Sequence, residues 1–185
     1  MNKRIHILGP SGSGTTTLGL NLSKAFDCKH LDADDYFWKK TEIPFSEKEE
    51  PKKRVNNIKN DILNQDSWIL SGSICGWGDA LIPLFTHVIY LWIPWDIRKE
   101  RITRRQSEKF GDAILPEGEM HKIHEDFIAW ASRYDTAGLE QRSRATHRKW
   151  IDELPSNILT ISIEEEHTKK DLEKLVIELL NVQKS

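Results

Sequence analysis

Eight consecutive residues near the start of the chain, Gly9-Pro10-Ser11-Gly12-Ser13-Gly14-Thr15-Thr16, have the types and spacing to cradle a phosphate. They fit the pattern G-x-x-x-x-G-K-[ST] at every fixed position but one, where Thr15 replaces the lysine. Gly9, Gly12 and Gly14 permit backbone dihedrals that aim successive N–H groups inward, which makes an anion-binding nest. A helix starting directly behind the loop adds the positive end of its dipole. Thr16 stands where a hydroxyl would ligand Mg²⁺, and Thr15 and Thr17 add donors beside Ser11 and Ser13. A threonine cannot replace a cation. Either the fold supplies positive charge from elsewhere, or the pocket binds a nucleotide without transferring its phosphate.

Three carboxylates, Asp32, Asp34 and Asp35, follow a second short apolar run in HLDADDYFW. Open parallel sheets bind ligands at the carboxyl ends of their strands, which sets these side chains beside the glycine loop. Capping of the next helix is the competing task for an aspartate here. Tyr36, Phe37 and Trp38, with Trp77 from CGWGD, offer a stacking wall for a base or another flat molecule. Trp68 and Trp92 lie in apolar runs and are assigned to the core, while Ser71, Ser73 and Asp79 add polar groups near the wall.

Positive charge gathers in two later groups. RKERITRRQ carries Arg98, Arg101, Arg104 and Arg105, with Arg101 and Arg105 four apart on one helical face. EQRSRATHR carries Arg142, Arg144 and Arg148 on a helix that could face the first. Charge runs are ordinarily solvated faces, here balanced by Glu100 and Glu108, but a guanidinium turned on a transferred phosphoryl group would stabilise its charge. Lys39 and Lys40 follow the aromatic turn on the other side. His121 and His124 lack a third ligand of suitable spacing for zinc and read as helix-surface residues.

The elements that must position these groups alternate along the chain. Strands are predicted at RIHIL (4–8), KHLD (29–32), SWILSG (67–72), THVIYLWIP (86–94) and NILTIS (157–162). Between them the spacing predicts helices over 15–26, from Ser46 through the polar stretch with Pro51 near its start, over 95–110, over about 117–131 and over about 136–152. Thr168 and Asp171 cap a last helix whose core face is Leu172, Leu175, Val176 and Leu179. Strand–helix alternation predicts an α/β fold, a parallel sheet with helices on both faces. The whole span 1–185 reads as one domain, with 35–66 on the acceptor side and 95–150 as a helical insertion closing over the site.

With GPSGSGTTT at the first strand, HLDADDYFW after the second, WILSGS at the third, and RKERITRRQ and NILTIS beyond, the chain resembles the small P-loop kinases. These act on nucleosides, nucleotides and shikimate-type acceptors and are adenylate-kinase-like in layout. The resemblance implies a P-loop NTPase three-layer fold with five parallel strands ordered 2-3-1-4-5, and Mg²⁺-ATP as phosphate donor. It also implies that Asp34, with Asp32 second, accepts the acceptor hydroxyl's proton or helps hold Mg²⁺ beside Thr16. Arg101 and Arg105 would swing over the phosphates as a lid closes, and Arg144 would contact the nucleotide. The chain departs from nucleoside monophosphate kinases at Ser71, where I-L-D-G has aspartate, and lacks their acceptor motif after the second strand.

Composition bounds the rest. Lys and Arg number 27 against 29 Asp and Glu, a formal net charge of −2, so no overall field draws the chain to nucleic acid or membrane. The apolar run Ile5 to Leu8 is too short for a signal peptide or a span, and two cysteines make no disulfide framework, which suits the cytoplasm. The expected function is transfer of the γ-phosphoryl group of Mg²⁺-ATP to a small acceptor, a nucleotide or nucleoside first. A nucleotide-binding regulatory protein without transfer is the alternative that Thr15 supports.

Overall fold

The computed structural model describes residues 2–182; Met1 and residues 183–185, the ends of the expected 1–185 span, lie outside the described residues. Its strands are β1 (Arg4–Leu8), β2 (Lys29–Asp32), β3 (Trp68–Ser71), β4 (His87–Leu91) and β5 (Leu159–Ile163). All pair in parallel, in the order β2-β3-β1-β4-β5. β3 and β4 are apolar almost throughout because the sheet is covered on both faces. Side chains alternate between two cores with the period of the pleat. Ile5, Ile7, Ile69, Ile89 and Leu91 enter one core with Leu18, Leu22, Val176 and Leu180. Leu8, Leu70, Val88 and Tyr90 enter the other with Val55, Ile58 and Trp150.

The first core is roofed by α1 (Thr15–Ala25) and α7 (Lys169–Val182). The Thr168 hydroxyl accepts from the Asp171 N–H at 3.2 Å, the cap its sequence predicts. The second core is covered by α3 (Pro51–Ile62), with Pro51 in the first turn where its missing N–H costs nothing, and by α6 (Arg144–Asp152). Between β4 and β5 come α4 (Trp95–Phe110) and α5 (His121–Ser132). Among the described residues no helix is long and apolar enough to cross a membrane.

Three expectations shift. The helix expected from about 136 begins only at Arg144, because Ser143 caps it: its Oγ accepts from Thr146 N–H at 3.0 Å, leaving 136–143 mostly as loop. The helix expected from about 117 begins at His121, since Glu117 has φ +72° and turns the chain out of the helical region. The aromatic turn after β2 contains a short helix, α2 (Ala33–Phe37).

Two fully buried histidines tie stability to pH. His6 is fully buried, stacked on Phe85 at 5.1 Å with Nδ1 3.0 Å from the Leu70 carbonyl, and burial lowers its pKa from 6.5 to about 4. His147 is equally buried, and burial with the nearby Arg142 lowers it to about 3. Both pKa values are depressed in the fold, so the unfolded chain binds protons first. Their contribution is complete above pH 6.5 and is lost as pH falls from there toward their folded values. Unfolding free energy, followed by urea titration, is expected to fall between pH 6.5 and 4.5. The expected slope is about 1.4 kcal/mol per pH unit for each histidine. A flat profile in that window would mean that both imidazoles take up protons inside the fold.

Candidate active site

The glycine loop leaves the carboxyl end of β1 and enters α1. Gly12 and Gly14 have φ of +84° and +101°, values that side-chain-bearing residues rarely adopt. Gly9 is required for a different reason: a Cβ there would lie 2.2 Å from the Leu91 carbonyl oxygen. Gly14 is the N-cap of α1 and supplies no side-chain cap, so the first-turn N–H groups face the cleft without one. Among the described residues the Ser13 hydroxyl is buried without a hydrogen-bond partner. A loop with no room for a Cβ at Gly9 or Gly12, an uncapped helix and an orphaned hydroxyl fit a polyphosphate.

Thr16, in the first turn of α1, donates its hydroxyl to Asp32 Oδ2 at 2.8 Å. Asp32 closes β2, and its other oxygen, Oδ1, accepts from the Asp34 N–H at 3.0 Å and so caps α2. Beneath this carboxylate, buried Ser71 donates to Asp32 Oδ2 at 3.4 Å and lies 3.0 Å from His30 Nε2. A hydroxyl and a carboxylate are hard oxygen donors, the set Mg²⁺ takes. The carboxylate that meets Thr16 is Asp32, whereas Asp34, expected beside Thr16, makes no hydrogen bond to it among the described residues.

Asp34 lines the same cleft one helical step on. Loss of hydration between the walls, reinforced by the Asp32 charge, pushes its carboxyl above the ordinary value, while Arg142 and Arg105 pull it back. Phe37 and Trp38 follow on the same short segment and meet Trp77 and Phe45 edge to face, with ring centroids 4.9 to 5.9 Å apart. Tyr36 does not join this wall; its hydroxyl turns to Asp61 at 2.6 Å. Across the cleft α5 presents Phe127 stacked on Trp130 at 5.9 Å, a wall the sequence reading missed because α5 shows no motif. The cleft holds about 1370 Å³.

The arginines separate sharply. Arg101 and Arg105 both line the cleft; Arg101 pairs with Glu166 at 3.2 Å, and exposed Arg105 makes no ion pair among the described residues. Arg98 does not share their role. It is fully buried, bonded to the Ile93 carbonyl at 2.9 Å and paired with Asp135, which also accepts from Trp92 Nε1 at 2.6 Å. Arg144, expected on the nucleotide, is not on the cleft wall: it stacks over Trp92 and pairs with Glu164 at 2.7 Å, beside Arg148. Arg142 is on that wall instead, and its Nη2 reaches the Ser11 hydroxyl of the glycine loop at 3.5 Å. Lys39 pairs with Glu47 at 3.0 Å and Lys40 is off the wall; Lys48 is the lysine of that turn that lines the cleft.

Of the serines flagged after β3, Ser73 lines the cleft and Ser71 lies under Asp32, while Asp79 is turned to Trp150 Nε1 at 2.8 Å. Ser73 Oγ is 2.9 Å from His147 Nε2, His147 Nδ1 is 2.7 Å from the Tyr134 hydroxyl, and Tyr134 is 3.0 Å from that of Tyr90. This chain of neutral groups ties α6 to β3 and β4. His121 and His124 brace the helical segment, through the Ile114 carbonyl and Gln106.

Residues 5–124, well over half of the chain, match a family model described as "AAA domain". The chain is 45% identical over 161 residues to an uncharacterized protein, YqaC, of Bacillus subtilis (strain 168), covering 87% of this chain and 89% of that one. Among solved structures it superimposes on a shikimate kinase from Acinetobacter baumannii determined with shikimate. The TM-score is 0.60 at 16% identity, over 100% of this chain and 96% of that one. A sugar kinase from Janibacter sp. superimposes with a TM-score of 0.53 at 12% identity, over 98% and 95%. These two likenesses concern the fold. The chain therefore belongs to the AAA-domain family, and its fold is that of the P-loop small-molecule kinases.

Proposed function

We propose that the protein transfers the γ-phosphoryl group of Mg²⁺-ATP to a hydroxyl of a small acceptor, a nucleotide or nucleoside in first place. One observation carries this reading: Asp34, a carboxyl with a raised pKa, stands in the same cleft as the glycine loop and on the same segment as an aromatic wall. A protein that only bound nucleotide would have no use for a base and a second pocket facing its phosphate loop. The cleft volume exceeds the roughly 300–1,000 Å³ of a typical pocket for one small ligand, which suits donor and acceptor together.

In this reading the loop backbone, with Ser11, Ser13, Thr15 and Thr17, binds the phosphates of ATP. Thr16 and Asp32 hold Mg²⁺, which when bound neutralises charge on the phosphate oxygens. Asp34 takes the proton of the acceptor hydroxyl as its oxygen bonds to the γ-phosphorus and the bond to the ADP oxygen breaks. Phe37, Trp38 and Trp77 hold the flat part of the acceptor. The helical segment 95–150 acts as a lid, bringing Arg101 and Arg105 over the phosphates and shutting out water. Two unpaired cysteines suit a cytoplasmic enzyme.

Thr15 favours a second reading, a nucleotide-dependent regulator without transfer. ADP formation from Mg²⁺-ATP, measured with pooled nucleosides, nucleotides and small polyols, separates the two. The kinase reading expects turnover that requires one member of the pool. Tight ATP binding with no acceptor-dependent ADP in any pool would favour the regulator.

A further inference from the structure

We infer that Arg142 supplies, from the loop before α6, the positive charge that the glycine loop lacks at Thr15. The inference rests on the kinase reading and deepens it. Arg142 Nη2 touches the donor side of the cleft at the Ser11 hydroxyl, 3.5 Å away. The same guanidinium lies on the wall of the cleft that also holds Asp34, the acceptor-side carboxyl. A cation that meets both sides occupies the seam across which a phosphoryl group passes.

The other cations on the cleft wall are committed or remote. Arg101 is paired with Glu166 at 3.2 Å and Arg104 with Glu100 at 3.4 Å. Arg105, Lys48 and Lys169 are exposed to solvent, where a charge is screened. Arg142 is half-buried and makes no ion pair among the described residues, and loss of hydration pushes its pKa down from the usual arginine value while Asp34 and Cys75 push it back up. An arginine stays charged under such a load where a lysine readily gives up its proton.

Its position is fixed before any ligand arrives. The guanidinium lies 4.6 Å from the centroid of the Trp130 ring. The loop that carries it is pinned at both ends. The Ser143 hydroxyl donates to the Gly138 carbonyl at 2.6 Å, and the Thr146 hydroxyl donates to the Gln141 carbonyl at 2.7 Å. A preorganised charge needs no rearrangement as the transition state forms, which is where such groups have their largest effect. Two positions, 15 and 142, are therefore alternative roots for one charge, and they should exchange.

The test compares wild type, Arg142→Met, Arg142→Lys and the double variant Thr15→Lys/Arg142→Met. Equilibrium binding of Mg²⁺-ATP and Mg²⁺-ADP is read by calorimetry, with no acceptor present. Arg142→Met should weaken ATP about 10- to 100-fold, the size of a lost charge-assisted contact, and leave ADP within about threefold. Arg142→Lys should lose less than Arg142→Met, and Thr15→Lys in the Arg142→Met background should restore most of the preference for ATP. A misfolded protein could not be rescued by a lysine placed on the opposite loop. An unchanged ratio of ATP to ADP affinity in Arg142→Met, or failure of Thr15→Lys to restore a lost one, would overturn the assignment. Because no acceptor takes part, the result stands apart from the kinase reading: a wild type that transfers to nothing yet shows this pattern keeps Arg142 and removes the kinase.

Discussion

Replacing Asp34 by asparagine is expected to lower kcat by roughly 10²- to 10⁴-fold, the range for removing a positioned general base. The affinity for Mg²⁺-ATP should change by no more than about threefold. The separation follows from the hydrogen bonds of the two aspartates: Asp32 holds the Thr16 hydroxyl at 2.8 Å, while the Asp34 carboxylate makes no hydrogen bond to Thr16 or the loop among the described residues. Asparagine keeps the shape of the side chain and its hydrogen bonds to solvent but cannot take a proton. The raised pKa of Asp34 sets a second signature. Wild-type kcat/KM should rise with pH through a limb lying above the ordinary carboxylate value, and Asp34→Asn should lose that limb. Asp32→Asn should instead raise the Mg²⁺ concentration needed for half-maximal rate. A full kcat in Asp34→Asn, with the acidic limb intact, would remove Asp34 from the mechanism.

The second large effect falls on stability. Asp135→Ala is expected to cost about 3–5 kcal/mol, because it strands the Arg98 guanidinium in a fully buried position. At about 2–4 °C per kcal/mol for a chain of this size, Tm should drop by roughly 6–20 °C. Asp135 also accepts from Trp92 Nε1 at 2.6 Å, so the loss reaches the end of β4 and the start of α4, the helix that carries Arg101 and Arg105. The double variant Arg98→Met/Asp135→Leu removes both charges and should recover much of the loss, since an apolar pair of similar volume can match a buried ion pair. A change under about 1 kcal/mol for Asp135→Ala would mean that water reaches the Arg98 charge.

Arg98 also shows where sequence reading reaches its limit. Four arginines in one helix look alike as a string, and helical spacing sorts them by face but not by what lies opposite. Arg98 goes inward because Asp135, 37 positions on, comes back against the first turn of α4. Arg142 and Arg144 differ for the same reason. Ser143 caps α6 between them, so Arg142 leaves on the loop toward the glycine loop, and Arg144 starts a helix turned toward Glu164. The Ser143 N-cap is a readable signal in the sequence, and reading it moves the helix start by about two turns.

What was legible rested on short-range chemistry. The glycine loop declares itself because backbone dihedrals, not side-chain partners, make the nest. The sheet declares itself because strands buried on both faces have no room for polar alternation. Asp32 and Asp34 were placed by one rule, that ligands gather at the carboxyl ends of parallel strands. Which of them meets Thr16 was not legible, since that depends on the short α2 that Asp32 caps. The wall of Phe127 and Trp130 and the chain from Ser73 through His147 to Tyr90 join residues far apart in sequence, with no local pattern to announce them.

The most direct measurement is transfer of label from ATP carrying ³²P in its γ-phosphoryl group, by the wild-type protein, to fractions of nucleosides, nucleotides and small polyols. A phosphorylated acceptor carrying the label, formed by wild type and lost in Asp34→Asn, is the result the account predicts. Tight ATP binding by wild type with the label found only in ATP, or only in inorganic phosphate, whatever acceptor is supplied, would contradict it.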